Sequence, residues 1–432
     1  MDYLEKGFCK QEEIALHTHD RLAYKRCRRK WNLSSPFGRH LKPKAALHGV
    51  NPHLWFGTGI HFAMEDYHGY DRFEDPVMAF HTYVDSHEPE ELPDEKDDLV
   101  ELGTQMLDHY KDWEEKFANW QTVWREDRPL VEMQFSLVLD DLCHYKIKDF
   151  DGEEKRYFRV EDTNVWRTSE NDALDEVLLK EYGAEYVQIV YHGTLDRVVK
   201  DIHGDLWILD YKTAKSYDGQ KLSLDPQISA YCWAAEQWLG MEIKGMLYVQ
   251  MIKKAPSPGR ITQQGVSADK RQVTTHKMYR ETLIDYYGSV DKAPKKNIDF
   301  LNDLADRELE NGDPFIRFDF VEKNEASKVN TYYNILAEGK EMLDPNLPLY
   351  PNPTRDCAWD CPFREVCLAM EEDGDYEFML EEFESRSETR KEEVERWQKR
   401  LYRKHKMLFP VEYDKYCKQG VDSLSDFMKE DD

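Results

Sequence analysis

The stretch Gly193-Thr-Leu-Asp-Arg-Val-Val199, followed by Trp207-Ile-Leu-Asp-Tyr-Lys-Thr213, forms the centre around which this chain is organised. The runs 187–199 and 206–211 are rich in β-branched and aromatic residues, which favours strands. The polar segment 200–205 between them contains a glycine and is typical of a turn. The sequence therefore predicts two antiparallel strands joined by a short turn.

Side chains with metal-site chemistry meet on this predicted hairpin. Residues two apart on a strand point to the same face, so Asp210 and Lys212 project together. A turn centred near His203 places Asp196 opposite Asp210. Two neighbouring carboxylates are costly unless a cation neutralises them, and oxygen ligands suit Mg²⁺ or Mn²⁺. A lysine beside such an ion can orient a water molecule or stabilise a charged transition state.

Four short motifs occur in a specific order around the hairpin. The Gly-x-x-Asp-Arg motif at 193–197 and the Asp-x-Lys motif at 210–212 resemble the core of the PD-(D/E)XK nucleases. Gln227-Ile-Ser-Ala-Tyr231 resembles the Q-x-x-x-Y motif of the RecB-like branch, and Gly57-Thr-Gly-Ile-His61 resembles its G-x-x-x-H motif. An isolated Asp-x-Lys is common by chance, whereas the ordered set of four is specific.

The resemblance implies an α/β fold, with a mixed central sheet flanked by helices and helical N- and C-terminal segments joined by a metal cluster. It also implies phosphodiester hydrolysis assisted by Mg²⁺ or Mn²⁺. His61, Asp196 and Asp210 would bind that metal ion. Lys212 would position or activate the attacking water, and Gln227 and Tyr231 would hold the substrate.

By the same resemblance, the expected activity is that of a DNA exonuclease acting on single-stranded ends in recombination, repair or spacer processing. A helicase or recombination protein is the expected partner. Two alternatives stay open at this point. One is a structure-specific or restriction-like endonuclease with the same site. The other is a non-catalytic DNA-binding or assembly subunit, although every catalytic residue type is present.

Two glutamates are weaker candidates for the same site. Residues 128–139 alternate like a strand, and Glu132 within them resembles the strand glutamate of the family. The alternative is a charge on the outer face of that strand. A helix predicted from His53 to Tyr67 places Glu65 on the same face as His61, four residues away. Glu65 is interpreted as a supporting group or a surface charge.

A cluster of cysteines near the C-terminus predicts a metal centre, because clustered cysteines in a cytosolic chain favour metal over disulfides. The spacing C-x₃-C-x₅-C resembles the cysteine trio of iron–sulfur members of the RecB-like branch, including AddB and the CRISPR-associated exonucleases. In those proteins the first two cysteines are usually separated by fewer residues than the three found here. That resemblance implies a fourth ligand from the N-terminal segment 21–31, which has Arg28 where the family has proline. The implied [4Fe–4S] ligands are Cys27, Cys357, Cys361 and Cys367.

Two alternatives to the iron–sulfur cluster stay open for these cysteines. One is zinc at the same four ligands, and the other is a set of plain buried thiols. The remaining cysteines are interpreted as ordinary thiols, with Cys417 the only plausible substitute ligand; they are Cys9, Cys143, Cys232 and Cys417.

The net charge of −27 argues against broad coating of nucleic acid but allows local basic clusters to contact phosphates. Three such clusters occur, at 21–30, 253–277 and 396–406. The first two are the expected DNA contacts, with Arg26, Arg28 and Arg29 in one and Lys253 and Lys254 in the next. The third is equally explained as a solvated face.

No long apolar run, signal pattern or Walker A motif occurs in the sequence. A cytoplasmic protein without a membrane span and without a fused ATPase motor is therefore expected.

The sequence divides into three expected regions. Residues 1–125 form an N-terminal helical region carrying Cys27 and the G-x-x-x-H motif, with residues 8–33 helical. Residues 126–345 form the nuclease core, with an irregular insertion at 140–185 and a basic insertion at 253–277 that is predicted to be a mobile loop near substrate. Residues 346–432 carry the cysteine trio, a long charged helix at 372–406 and an acidic tail.

Overall fold

The structure is a computed structural model. It describes residues 11–44, 50–69, 75–87, 92–126, 128–148, 154–160, 165–168, 172–217, 219, 222–358 and 361–385. The third basic cluster, most of the predicted charged helix, the acidic tail, Cys9 and Cys417 lie outside these residues. The chain divides into two compact units, residues 1–22 with 50–347 and residues 23–49 with 348–432. Among the described helices, none has the length and apolar character that a membrane crossing requires.

The described helices, in chain order, are α1 (Thr18–Arg26), α2 (Arg28–Ser34), α3 (Pro52–His68), α4 (Pro76–Asp85), α5 (Lys96–Phe117), α6 (Glu176–Glu181), α7 (Pro226–Leu239), α8 (His276–Tyr287), α9 (Lys295–Asn311), α10 (Glu325–Met342), α11 (Arg364–Glu371) and α12 (Tyr376–Met379).

The described strands are β1 (Gln11–Leu16), β2 (Leu41–Pro43), β3 (Trp120–Thr122), β4 (Trp124–Arg125), β5 (Arg128–Pro129), β6 (Val131–Val138), β7 (His144–Lys148), β8 (Glu154–Arg159), β9 (Val165–Arg167), β10 (Ala173–Asp175), β11 (Glu185–Asp201), β12 (Leu206–Ala214), β13 (Gly245–Ile252), β14 (Ile261–Thr262), β15 (Gly265–Val266), β16 (Ile316–Glu322) and β17 (Phe383–Ser385).

The first unit is built on a mixed sheet with the strand order β10-β9-β8-β7-β11-β12-β13-β16. The strands β1, β3 and β6 also pair with β11. The pair β12–β13 is parallel, while β11–β12 and β13–β16 are antiparallel. The parallel pair is connected through α7, as parallel neighbours require a crossover connection. The mixed central sheet flanked by helices that the resemblance implies is therefore present.

The strand β11 organises this sheet because it is long enough to pair with several partners in succession. Its 17 residues pair with β1 in the first part, with β6 in the middle, and with β12 and β3 towards the end. Val190 pairs with Ala15 of β1 and with Val138 of β6, so β11 lies between these two strands at this point.

Helices cover the sheet because their apolar faces pack against its buried side chains. The helices α3, α4 and α5 share one hydrophobic cluster with β12 and β13, in which Phe56, Phe80 and Leu107 meet Leu209 and Val249. The helix α7 packs against α10 and contacts β6, β11 and β13. Burial of these apolar surfaces is the main stabilising contribution in the first unit.

Local sequence signals set the starts of the helices next to the motifs. Asn51 caps α3 by accepting from the His53 and Leu54 backbone N–H groups, and Pro52 occupies the first turn. Asp225 caps α7 in the same way through the Gln227 N–H at 2.8 Å. Both helices begin within a residue or two of the positions that the sequence predicts.

The second unit has a small core of its own, in which Leu33 of α2 packs with Phe363, Val366 and Phe383. The short strands β2 and β17 pair antiparallel. Arg39 and Glu377 form two hydrogen bonds across this unit at 2.7 and 3.1 Å. These contacts bring residues from both ends of the chain into one compact body.

Three sequence predictions of local structure are wrong. Residues 11–16 form a strand rather than helix, because pairing with β11 outweighs the helix propensity of glutamate, alanine and leucine. The described residues within 140–185 are not irregular. The strands β7 to β10 extend the sheet, and α6 packs with them in a cluster of Tyr145, Tyr157, Trp166 and Leu179. Residues 383–385 form β17 rather than continuing a helix.

The basic insertion 253–277 is also more ordered than predicted. It contains the hairpin β14–β15, and Val266 is buried against Tyr279 and Leu283 of α8. The Gly259 N–H donates to Thr282 Oγ1 at 2.8 Å. An apolar anchor and backbone hydrogen bonds therefore hold this segment onto α8, in contrast to the predicted mobile loop.

The compact units also differ from the three regions expected from the sequence. The helices α3 to α5 fall within the predicted N-terminal region but share their hydrophobic cluster with the sheet. Residues 23–49 instead group with the C-terminal residues 348–432. The boundary predicted near residue 125 consequently does not separate two compact bodies.

The two motif glycines lead to a prediction about stability. A Cβ atom at Gly193 would lie 2.6 Å from Phe135 Cζ, whereas a Cβ at Gly57 would have its nearest neighbour, Thr213 Oγ1, at 4.0 Å. We expect Gly193→Ala to destabilise the fold by about 1–3 kcal/mol through overpacking. Gly57→Ala is the matched control and should not destabilise, since alanine favours helices. Urea denaturation of both variants measures the difference, and equal midpoints would contradict this packing argument.

Candidate active site

The hairpin β11–β12 brings the two predicted aspartates together. Arg197 pairs with Leu209, so the next position in this antiparallel register sets Asp196 opposite Asp210. The turn that fixes the register contains Gly204 with φ of 91°, a conformation that favours glycine. Asp201 Oδ1 accepts from the His203 and Asp205 backbone N–H groups, each at 2.9 Å, and closes that turn.

Hydrogen bonds hold both carboxylates in place. The Tyr211 backbone N–H donates to Asp196 Oδ2 at 2.9 Å. Lys212 Nζ donates to Asp210 Oδ1 at 2.8 Å and lies equally close to Oδ2. Asp210 is almost fully buried, with 4% of its surface exposed. A buried carboxylate so close to an ammonium group is an arrangement that active sites favour.

The two carboxyl groups differ in their acidity. Burial raises the pKa of Asp210 above its ordinary value, and the nearby charge of Asp196 adds to this effect against the opposing pull of Lys212. Burial also favours a higher pKa for Asp196. The interactions with His61, Lys212 and the Tyr211 N–H outweigh this effect, so the pKa of Asp196 is lowered. The pKa of Lys212 is raised, since its two carboxylate neighbours outweigh the effect of burial.

A histidine and a glutamate extend the carboxylate pair. His61 Nδ1 lies 3.3 Å from Asp196 Oδ2 and 4.0 Å from Glu132 Oε1. The donor atoms of these three residues all lie within 4.8 Å of one another. Asp196 and His61 are thus brought together as predicted, and Glu132 joins them. Asp210 is outside this group of three, and its carboxylate is paired with Lys212.

Glu132 has an unusual backbone conformation, with a φ of 48°. Leu195 pairs with Met133, so the next position in this register sets Glu132 opposite Asp196. A left-handed conformation is uncommon for a residue other than glycine, and such strain is concentrated at functional sites. The left-handed backbone of Glu132 lies at the end of the β6–β11 pairing, and the side chain of this residue faces His61 and Asp196.

These residues fit a divalent metal ion. Adjacent ligands of an octahedral ion with bonds of about 2.1 Å lie about 3 Å apart, close to the separation of His61 Nδ1 and Asp196 Oδ2. Carboxylate oxygens with one imidazole nitrogen suit Mg²⁺ or Mn²⁺. His61, Glu132 and Asp196 could hold the ion directly, with Asp210 beside them.

Next to this group lies a cavity of about 430 Å³, which is lined by Asp196, Asp210, Lys212, Gln227 and Tyr231. Gln227 lies in the first turn of α7, and Tyr231 follows one turn later. The Tyr231 ring packs edge-on against Phe135, with ring centroids 5.9 Å apart. Five of the predicted site residues therefore border one cavity.

Three histidines at the rim of this cavity were not predicted from the sequence: His17, His19 and His192. The signal that could have found the first two is the run His17-Thr-His-Asp20, which places two imidazoles beside a carboxylate. Glu65, in contrast, is not among the residues that line the cavity.

Arg197, the neighbour of Asp196 in its motif, is buried within a polar network. Its guanidinium donates to Glu114 Oε1 at 3.1 Å, to the Tyr211 hydroxyl at 3.0 Å and to Thr122 Oγ1 at 2.9 Å. The same Tyr211 donates its backbone N–H to Asp196. The arginine thus stabilises the residue that orients the first carboxylate.

The four predicted cluster cysteines all belong to the second unit and form no disulfide. The Lys30 and Asn352 backbone N–H groups donate to Cys27 Sγ, both at 3.5 Å. The Thr354 N–H lies 3.3 Å from Cys357 Sγ, and the Arg29 guanidinium lies 3.5 Å from Cys367 Sγ.

The sulfur atoms are not tightly clustered. Among the described residues, no three of these Sγ atoms lie within 4.8 Å of one another. Burial raises the pKa of the Cys361 thiol, and this thiol interacts electrostatically with Cys357 and Cys27. Cys143 and Cys232 are buried in the first unit, as ordinary thiols would be.

Several expected DNA contacts have protein partners. Arg26 pairs with Asp356 at 2.5 Å, Arg29 with Glu371 at 2.6 Å, and the Arg28 guanidinium lies over the Tyr350 ring. Lys253 Nζ lies 5.2 Å from the centroid of the Phe56 ring. These pairings stabilise the second unit and the α3 region, so the basic residues are not simply an open phosphate-binding surface.

Lys254 differs from the other expected contacts. Its side chain is exposed, and its backbone N–H donates to Ile252 O at 2.6 Å. It is thus the most accessible of the five basic residues predicted to contact DNA.

The chain was compared with curated proteins and with models of protein families. No curated protein matches the chain. The sequence profile of the PD-(D/E)XK nuclease superfamily matches residues 22–368, well over half of the chain, and this range includes all four motifs. The chain therefore belongs to the PD-(D/E)XK nuclease superfamily, whose members are metal-dependent nucleases that act on DNA.

Proposed function

We propose that this protein is a DNA exonuclease of the RecB-like branch that acts on single-stranded ends and carries an iron–sulfur centre. The observation that supports the catalytic part is the convergence of His61 and Glu132 on Asp196, which lines one cavity together with the Asp210–Lys212 pair. The motifs at 57–61 and 227–231 favour the RecB-like branch within the superfamily.

In this proposal, His61, Glu132 and Asp196 hold the metal ion, and Asp210 completes the acidic group. A bound divalent ion would polarise the phosphate and lower the pKa of the attacking water. Lys212, held 2.8 Å from Asp210, orients that water and donates to a phosphate oxygen. Water adds to phosphorus, the bond from phosphorus to one sugar oxygen breaks, and the proton passes to the leaving oxygen.

Gln227 and Tyr231 hold the substrate at the other side of the cavity. The Asp225 cap and the packing of Tyr231 on Phe135 keep this part of α7 rigid. A rigid polar wall beside the acidic group fixes the scissile phosphate relative to the water.

One prediction tests the catalytic assignment. Lys212→Ala should lower the cleavage rate by about a hundredfold or more, because it removes a donor aimed at developing charge. Asp196→Ala and Asp210→Ala should also weaken Mn²⁺ binding. Lys200→Ala is the matched control, since Lys200 is an exposed lysine on β11, the strand that pairs with β12. Cleavage of end-labelled DNA with Mg²⁺ or Mn²⁺ measures the rates, and near-full activity in all three site variants would refute the assignment.

Another prediction separates exonuclease from endonuclease. We expect digestion of linear single-stranded DNA and no digestion of the circular form, which has no end from which to start. Gel analysis of matched linear and circular molecules of the same sequence provides the measurement. Nicking or degradation of the circle would identify an endonuclease with the same metal-dependent site.

The proposed iron–sulfur centre uses Cys27, Cys357, Cys361 and Cys367. Four thiolates around one tetrahedral zinc, with Zn–S bonds of about 2.3 Å, lie about 3.8 Å apart. An iron–sulfur centre holds its thiolates on separate irons, so metal analysis distinguishes it from a single zinc ion. The N–H groups directed at Cys27 and Cys357 are of the kind that stabilise cluster thiolates.

A cofactor prediction follows from this ligand set. Protein purified without oxygen should be brown and contain about four irons per chain. Replacing any of the four ligands by serine should bleach the protein, whereas Cys143→Ala and Cys232→Ala should leave the colour unchanged. Iron and zinc analysis with visible absorbance provides the measurement. A colourless protein with one zinc per chain would contradict the iron–sulfur assignment.

A further inference from the structure

A second group of metal-ligand residues lies at the rim of the active-site cavity. His17 precedes α1, and His19 and Asp20 lie in its first turn. The donor atoms of these three residues all lie within 4.8 Å of one another. Asp20 is buried, with 2% of its surface exposed, and its two oxygens face the two imidazoles. Oδ2 lies 3.2 Å from His17 Nδ1, and Oδ1 lies 3.7 Å from His19 Nε2.

We propose that His17, His19 and Asp20 bind a second divalent transition-metal ion, separate from the ion at His61, Glu132 and Asp196. Two imidazoles and one carboxylate on one side of an ion leave its other positions open. One carboxylate neutralises only half of a divalent charge, so the occupied site carries a net positive charge. The open positions take a phosphate oxygen of the DNA strand.

Helix capping accounts for only part of this arrangement. Asp20 Oδ2 accepts from the His17 backbone N–H at 3.0 Å, which is an ordinary local contact at a helix start. That contact requires no imidazole. The His17 and His19 rings are stacked with centroids 4.9 Å apart, and His192 packs edge-on against His17 at 5.3 Å. Ser136 Oγ lies 2.9 Å from His192 Nδ1 and fixes this third ring.

The position of the group indicates what the ion would bind. His17 and His19 line the same cavity of about 430 Å³ as Asp196, Asp210 and Lys212. An ion held at the rim therefore faces the space beside the acidic group. The phosphate-holding role rests on the proposed function, whereas the binding of a metal ion by the three residues does not.

Counting bound Mn²⁺ ions by electron paramagnetic resonance tests the site, because Mn²⁺ has little affinity for the thiols of the second unit. We expect His17→Gln/His19→Gln to lose one Mn²⁺ per chain and to keep the ion of the acidic group. The complementary variant, His61→Gln/Asp196→Asn/Asp210→Asn, should keep one Mn²⁺ whose pulsed spectrum shows coupling to imidazole nitrogen. His81→Gln is the matched control, since His81 is exposed and hydrogen-bonded to Thr104.

The same variants separate this proposal from the proposed nuclease activity. With Mn²⁺ present, His17→Gln/His19→Gln in a Lys212→Ala background should bind single-stranded DNA about tenfold more weakly, the loss expected for one charge-assisted contact. With EDTA the affinities should be equal.

Unchanged Mn²⁺ stoichiometry in His17→Gln/His19→Gln would overturn the site, as would absence of nitrogen coupling in the complementary variant. Absence of cleavage by the wild type, with the Mn²⁺ count as predicted, would overturn only the nuclease proposal.

Discussion

The hydrogen-bonded register between β11 and β12 holds the candidate active site together. It sets Asp196 opposite Asp210 and directs the Tyr211 N–H to the Asp196 carboxylate. A shift of one residue would turn every side chain of a strand to the opposite face. The carboxylate pair would then be lost, together with the burial of Tyr211. The short turn closed by Asp201 maintains this register.

The neighbouring residues Asp196 and Arg197 have different roles in the hairpin. Asp196 faces His61 and the cavity, while Arg197 enters a buried network with Glu114, Tyr211 and His68. Removing one partner of a buried charge pair costs about 3–5 kcal/mol, so such a network tolerates little displacement. The charged residues of the motif therefore serve two purposes, one chemical and one structural. This separation explains why an arginine can follow the aspartate without neutralising it.

The two compact units carry different chemistry. In the first unit, oxygen and imidazole donors surround a cavity, which suits hard divalent ions and phosphate. In the second unit, N–H groups of nearby backbone and of Arg29 are directed at the thiols of Cys27, Cys357 and Cys367. Two of the three arginines expected to contact DNA, Arg26 and Arg29, are paired there with Asp356 and Glu371. Their clustering in the sequence reflects local ion pairing as much as any attraction to phosphate.

Elements with local signals could be predicted from the sequence alone. The strand β13, the caps of α3 and α7, and the opposition of Asp196 and Asp210 follow from periodicity, capping residues and a short turn. Features that depend on distant pairing emerged only in the folded chain. Residues 11–16 become a strand because β11 offers a partner. Within the described part of 140–185, β7 also pairs with β11, and β8, β9 and β10 are added to it in turn. The approach of Glu132 to His61, and of His17 and His19 to the cavity, joins positions far apart in the chain. No local pattern encodes such proximity, because it arises when separate elements pack on one sheet.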